Sequence, residues 1–238
     1  MENLVAIVPA AGAGKRLGLG INKAFVKLNG APLLVHCLAM LEKTQMVRQA
    51  IVVLAPDEAE EGGKLLAAYQ KNYFPNLPFK IAQGGRERQD SVANALAAVP
   101  KDAEYIAVHD GARPFAGQEV FARTLAMAKK YGAAIAAVPV KNTIKVVDEN
   151  GLVVDTPVRA ALKAVQTPQI FRADLLRSAY AFLQAHPAAV TDDASVVELL
   201  GHKVAVAEGR YENIKVTTPE DLVLAEYFLK QEEAKYGK

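Results

Sequence analysis

Lys15 and Arg16 close a run of residues with almost no side-chain bulk, Ala10, Ala11, Gly12, Ala13 and Gly14. Small residues let backbone N–H groups come close to a ligand, and two cations at the end of the run add charge where those groups point. That combination suits a polyphosphate. Val5, Ala6, Ile7 and Val8 just before it read as a strand buried on both faces, with Pro9 expected to end its ladder. Two familiar phosphate loops do not match. A P-loop would need Gly at position 9 and Ser or Thr at position 16, where the chain has Pro9 and Arg16. The dinucleotide pattern G-x-G-x-x-G begins at Gly12 and Gly14 but meets Leu17, and no acidic residue ends the next strand-like run. A plain strand-to-helix turn is the alternative, and paired cations serve it poorly.

Three further stretches carry the same kind of chemistry. Residues 83–91 (QGGRERQDS) expose backbone at Gly84 and Gly85, add charge at Arg86 and Arg88, and are expected to open a helix at Ser91. Backbone groups and a small hydroxyl suit the edge of a base, although a βα turn with a cap accounts for the same residues. In residues 108–114 (VHDGARP), Asp110 ends a strand-like run and faces the first loop. A carboxylate there would hold a ribose hydroxyl or a Mg²⁺ bridging phosphates. Gly111 allows close approach and Arg113 offers a second anion contact; an Asp turn closed by the Arg is the alternative. His109 reads as a packed side chain rather than a base. In residues 211–222 (YENIKVTTPEDL), Lys215 lies between Ile214 and Val216 and needs an anionic partner, in the chain or in a ligand. Neighbouring Glu212 or Asp221 would serve. Thr167, Thr191 and Arg159 add hydroxyls and another cation. Cations, hydroxyls and one carboxylate, without a nucleophile–His–acid set, fit phosphoryl or nucleotidyl transfer.

The rest of the chain must position these loops. It has 238 residues, 51% hydrophobic, enough for one large core. A net charge of +2 gives no reason to expect nucleic acid or an anionic membrane surface as partner. Cys37, the only cysteine, lies in the apolar stretch PLLVHCLAML and is expected to be a core thiol. The chain enters a strand without a basic leader, and no apolar run approaches the ~20 residues of a membrane span. A cytoplasmic protein is expected.

Apolar, β-branched runs at 4–8, 50–55, 79–82, 105–109 and 133–140 alternate with helical patterns near 32–43, 57–72, 89–98 and 117–130. That rhythm predicts βαβ units, a mostly parallel sheet and helices on both faces. It stops after Pro139. Residues 143–158 read as a hairpin around DENG, an inserted arm at about 141–158 in an otherwise single domain. Few residues remain to cover such an arm, so it packs either on the chain's own surface or on a second copy. Helices at 172–185 and 191–200, a strand at 203–207 and a last helix from Pro219, capped by Thr217 or Thr218, complete the pattern.

PAAGAGKRLG, NK at 22–23, GGRERQDSV, HDGARPF, TPQIF, TDDAS and ENIKVTTPEDL occur in this order along the whole length. Together they closely resemble the 2-C-methyl-D-erythritol 4-phosphate cytidylyltransferases of the non-mevalonate isoprenoid pathway. The resemblance implies a Rossmann-like nucleotidyltransferase fold, a β-arm that forms a homodimer, CTP and methylerythritol phosphate as substrates, and Mg²⁺ as cofactor. It assigns transition-state stabilisation to Arg16 and Lys23. Ala10, Ala11, Gly12, Gly85 and Ser91 would surround the nucleotide, with Asp110 and Gly111 at the ribose. Arg113, Thr143, Arg159, Thr167, Thr191 and Lys215 would hold the polyol phosphate, several of them across the dimer. Two positions depart from the family pattern: Asn22-Lys23-Ala24 replaces Pro-Lys-Gln, and Arg86 replaces an acidic residue. The first bears on how rigidly Lys23 is held, the second on one base contact. A ribitol 5-phosphate cytidylyltransferase would share the nucleotide half, and a nucleotide-binding module without turnover would have no need of both Arg16 and Lys23.

Overall fold

In the computed structural model, which describes residues 3–12 and 22–236, strand β1 (Leu4–Pro9) runs through the middle of the molecule. Its first five residues are fully buried. Leu4, Ala6 and Val8 face one apolar layer, and Val5 and Ile7 face the other. Burial on both faces explains why the strand is an unbroken apolar run rather than an alternating one.

The chain continues through a short hairpin of β2 (Lys27–Leu28) and β3 (Ala31–Pro32), then α1 (Leu33–Lys43) and β4 (Val47–Leu54). Next come α2 (Ala59–Tyr73), β5 (Phe79–Gln83), α3 (Arg88–Ala98), β6 (Tyr105–Val108), α4 (Gly117–Tyr131) and β7 (Ala133–Pro139). The arm holds β8 (Val146–Val147) and β9 (Val153–Asp155), and β10 (Lys163–Arg172) follows it. The chain closes with α5 (Ala173–Ala185), α6 (Asp193–Glu198), β11 (Ala205–Glu208) and α7 (Pro219–Tyr236).

The main sheet has seven strands in the order β11-β7-β10-β6-β1-β4-β5. Only β10 runs antiparallel to its neighbours. Leu34, Leu38 and Leu41 of α1 and Phe121 and Leu125 of α4 cover one face. Val92 and Leu96 of α3 and Leu176, Tyr180 and Leu183 of α5 cover the other. Truncating one such Leu to Ala would cost about 2–5 kcal/mol. A third cluster, Val26, Leu28, Leu33, Phe115, Val216 and Ala225, seats α7 beside the small hairpin. The fold is α/β with helices on both faces of a mostly parallel sheet, as the sequence rhythm predicts.

Several expectations need correction. Pro9 does not end the ladder: it pairs with Val53, and Ala10 N–H still donates to Val53 O at 2.8 Å. The Pro9 carbonyl accepts from Gly111 N–H on the β6 side, so the missing donor falls beyond the last paired residue of β6. The α3 helix opens at Arg88, not Ser91, because Glu87 and Asp90 form a reciprocal capping box. Strand β10, absent from the sequence reading, inserts between β6 and β7. The arm hairpin exists but pairs over only a few residues, around a turn in which Asp148 Oδ1 accepts from Asn150 N–H and Leu152 N–H. Of the two candidate caps for α7, Thr218 holds the position, with Asp221 accepting from its N–H at 2.9 Å.

Candidate active site

Because β1 pairs with β4 on one side and β6 on the other, the chain reverses its direction of winding at β1. In open α/β sheets the crevice beyond the strand ends at such a point binds ligands. The loops leaving β1 and β6 meet there. Gly111 N–H donates to Pro9 O at 3.1 Å, and a Cβ on Gly111 would lie 3.0 Å from Leu34 and 3.3 Å from Ala10. The loop after β5 joins them: Gly84 N–H donates to Leu54 O at 2.7 Å, and a Cβ on Gly84 would come within 2.8 Å of the Ala11 methyl. Close backbone approach is what both glycines supply. Ala10 is buried here, Ala11 is half-buried and Gly12 is exposed.

Asp110 sits at the centre. Its carboxylate lies 2.8 Å from Lys215 Nζ, 3.5 Å from Arg113 Nε and 3.7 Å from Arg88 Nη2. Burial alone would push its carboxyl up, but Lys215, Arg88 and Arg113 outweigh burial and hold it well below the usual carboxylate range. Arg88 also pairs with buried Asp193 at 2.7 Å, and Tyr180 Oη donates to the other Asp193 oxygen at 2.7 Å. Three cations therefore face two carboxylates, leaving positive charge for an anionic ligand. The anion that Lys215 needed is Asp110; Glu212 pairs with Arg210, and Asp221 accepts from Thr217 N–H and Thr218 N–H at the start of α7.

A hydrogen-bond chain fixes this carboxylate from behind. Asp110 N–H donates to Thr167 Oγ1 at 3.1 Å, and Thr167 Oγ1 lies 3.1 Å from His109 Nδ1. His109 Nε2 is 2.8 Å from the Arg113 carbonyl, which can only accept. Nε2 therefore carries the ring proton, and Nδ1 accepts from the threonine hydroxyl. Burial pushes the imidazole down to about 4, so it is neutral at physiological pH. His109 is a packed support, and both of its nitrogens are occupied. Thr167, expected at the substrate, uses its hydroxyl in this chain.

Ser91 Oγ accepts from Gly85 N–H at 3.0 Å and donates to Glu87 O at 3.1 Å, which shapes the Gly84–Gly85 turn. Arg86 is exposed. Thr191 lines a cleft with Glu87, Arg88 and Tyr180, and its hydroxyl lies 3.2 Å from Ser195 Oγ. Lys23 stands in a 3₁₀ turn, Lys23–Phe25, with its Cε 3.8 Å from the point a Cβ on Gly12 would occupy. Arg16, Lys15 and Gly14 lie outside the described residues. Thr143 and Arg159 are exposed on the arm, where Arg159 donates to Lys141 O at 3.1 Å. The structure thus gathers Asp110, Gly111, Arg113, Thr167 and Lys215 into one cluster beside Ala10, and leaves Thr143 and Arg159 outside it.

Arg88, Asp193 and Asn213 have site contacts that the sequence reading did not assign. Asn213 is fully buried, donates to Thr167 O at 2.8 Å, and offers its own backbone carbonyl to Arg113 Nη1 at 2.7 Å. The signal was present in TDDAS and ENIK as polar residues inside apolar surroundings. Among the described residues, no group of three or more His, Cys, Asp or Glu side chains is placed to cage a metal. A single strand-end carboxylate such as Asp110 would suit a Mg²⁺ held mainly by the phosphates of a ligand.

A model of the 2-C-methyl-D-erythritol 4-phosphate cytidylyltransferase family matches residues 4–231. A protein of that name from Bacillus mycoides (strain KBAB4) is 49% identical over 223 residues, covering 94% of this chain and 96% of the relative. One from Caldanaerobacter subterraneus subsp. tengcongensis is 41% identical over 229 residues, covering 96% and 100%. The crystal structure of the Thermus thermophilus cytidylyltransferase superposes with a TM-score of 0.78 at 33% identity, covering 97% of this chain and 100% of that one. That of a 4-diphosphocytidyl-2C-methyl-D-erythritol synthase from Anaerococcus prevotii reaches 0.82 at 30% identity, covering 96% and 99%.

Proposed function

Because the chain belongs to the 2-C-methyl-D-erythritol 4-phosphate cytidylyltransferase family, we propose that the crevice between β1 and β6 is where it transfers CMP from CTP to methylerythritol phosphate, releasing pyrophosphate. The observation that carries this reading is the Asp110 cluster, with Lys215, Arg113 and Arg88 converging beside Ala10 and Gly111. Surplus positive charge at a topological switch point suits two anionic substrates that must be brought together.

An oxygen of the polyol phosphate attacks the α-phosphorus of CTP in line; the new O–P bond forms as the bond to the β-phosphate breaks. A phosphate monoester is largely dianionic at neutral pH, with its second pKa about 6, so no general base is needed. Neutral His109, with both nitrogens engaged, agrees with that. Ala10, Ala11, Gly12, Gly85 and Ser91 surround the nucleotide, and Asp110 and Gly111 meet the ribose. Arg113, Lys215 and Thr191 hold the polyol phosphate, with Thr167 supporting Asp110. Arg16 and Lys23 neutralise charge growing at the α-phosphate and the departing pyrophosphate. Bound Mg²⁺ would be held chiefly by the CTP phosphates with Asp110 nearby, and would supply further charge neutralisation.

We also infer a homodimer. Val158, Leu152 and Val154 of the arm are 74%, 65% and 61% exposed, and a second copy would cover them and receive Thr143 and Arg159. Among the described residues no helix is long and apolar enough to cross a membrane. With Cys37 as its only cysteine the chain has no disulfide framework of the kind secreted domains rely on, which suits the cytoplasm. Incubation with CTP and Mg²⁺ and either methylerythritol phosphate or ribitol 5-phosphate, following pyrophosphate, tests the assignment. Turnover is expected with the first; preference for the second would reassign the polyol.

A further inference from the structure

Asn22, one of the two departures from the family pattern, is nearly buried and makes hydrogen bonds to three separate pieces of the chain. Its Nδ2 donates to Ala10 O at 2.7 Å and to Glu58 Oε2 at 2.6 Å, and its Oδ1 accepts from Ala24 N–H at 3.0 Å. Ala10 is where the chain leaves β1, Glu58 stands immediately before α2, and Ala24 lies in the 3₁₀ turn that carries Lys23. Both amide hydrogens and the carbonyl oxygen of the carboxamide are thereby engaged.

We infer that Asn22 is a positioning residue for Lys23: its carboxamide clasps the lysine-bearing turn to the exit of β1 and the start of α2. This rests on the reading of Lys23 as the cation at the α-phosphate. The backbone supports it. Phe25 N–H donates to Asn22 O at 2.9 Å, and Val26 N–H to Lys23 O at 3.2 Å, so the turn is closed on itself. The Phe25 ring packs so tightly on α2 that a Cβ on Gly62 would come within 2.9 Å of it. The lysine stem then passes over Gly12. A lysine has four rotatable side-chain bonds, and an ammonium is useful at one phosphate oxygen only if its Cα is fixed relative to the nucleotide loop. Asn22 supplies that fixation from both sides of the loop. A carboxylate cannot replace the carboxamide, since its oxygens would confront the Ala10 carbonyl and the Glu58 carboxylate with no hydrogen to share.

The test is steady-state pyrophosphate release with N22D, E58A, E58Q and K23A, and with the N22D/K23A double variant, each beside its thermal melt. Asn22→Asp is near-isosteric and should lower kcat by about 10- to 100-fold, the scale of an ångström-level misplacement, with both KM values little changed. E58A should fall in the same direction, and E58Q, which keeps one oxygen for Nδ2, should recover part of the loss. In the K23A background, N22D should have almost no further effect, because there is no ammonium left to aim. A wild-type kcat for N22D while K23A is impaired overturns the inference, as does a full N22D loss that persists without Lys23. Wild-type turnover by K23A overturns the reading of Lys23 as well, a distinct result because it needs no Asn22 variant.

Discussion

Lys215 Nζ stands 2.8 Å from Asp110 Oδ2, tying the segment before α7 to the end of β6. The ammonium that the sequence places between Ile214 and Val216 thus has its counter-charge inside the site rather than beside it in the chain. If this lysine also binds the attacking phosphate, Lys215→Ala should raise KM for methylerythritol phosphate much more than KM for CTP. Some kcat should be lost as well, since a misplaced nucleophile reacts slowly even when bound. Asp110 would keep only its longer contacts to Arg113 and Arg88, so stability should fall by about 1–3 kcal/mol. A lower melting temperature with both KM values unmoved would confine Lys215 to a structural part.

His109 should give the protein an acid-side stability loss. Its imidazole is held at about 4, below the ordinary 6.5, so the unfolded chain binds a proton that the folded chain refuses. Stability therefore falls as pH drops from about 6.5 to about 4, by about 2 kcal/mol at pH 5 relative to pH 7.5. His109→Gln should flatten that window in urea titrations. Asp110 acts lower: its depressed carboxyl stabilises the fold above about pH 4, and that contribution is lost as pH falls further. An identical pH profile for H109Q would mean that the imidazole titrates normally.

Gly84→Ala should strain the site without touching a charge. The added methyl would stand 2.8 Å from the Ala11 Cβ and 3.2 Å from the Leu54 carbonyl oxygen. Relief requires moving the loop after β1, at a cost of about 1–3 kcal/mol. With Ala11 on the nucleotide side, as proposed, KM for CTP should rise more than KM for the polyol phosphate. Kinetics and a melt on this variant read both effects, and unchanged CTP kinetics would detach Ala11 from the nucleotide.

The arm should hold two copies together. Light scattering at micromolar concentration should give twice the chain mass, and Val154→Asp, which puts a charge among exposed apolar residues, should shift it toward monomer and raise KM for the polyol phosphate. A fully active monomeric wild-type protein would refute the dimer.

What could be read from the sequence was whatever local pattern encodes. The run from Val5 to Val8 and the α1, α2 and α4 helices follow from apolar period and turn residues, and the structure places them within a few positions. Strand β10 did not announce itself. Its QTPQ segment is polar and contains Pro168, yet Gln166, Thr167 and Gln169 are buried because each has a distant partner. Gln166 donates to Arg210 O, Thr167 serves Asp110 and His109, and Gln169 donates to Asp192. Hydropathy counts such residues as surface; only the tertiary hydrogen bonds make their burial tolerable. The charge of Arg88 is visible in the sequence, but its two carboxylate partners are not, because Asp110 at the end of β6 and Asp193 of α6 reach it only through the fold.

Oxygen labelling follows the attacking atom itself. Methylerythritol phosphate carrying ¹⁸O in its phosphate should be incubated with CTP and the enzyme, and the products followed by ³¹P NMR. Attack by a substrate phosphate oxygen on the α-phosphorus places ¹⁸O in the diphosphate of the cytidylylated product, including the oxygen that bridges the two phosphorus atoms, and leaves the released pyrophosphate unlabelled. Label in pyrophosphate, or a product whose bridging oxygen comes from CTP, would rule out attack by the substrate phosphate on the α-phosphorus.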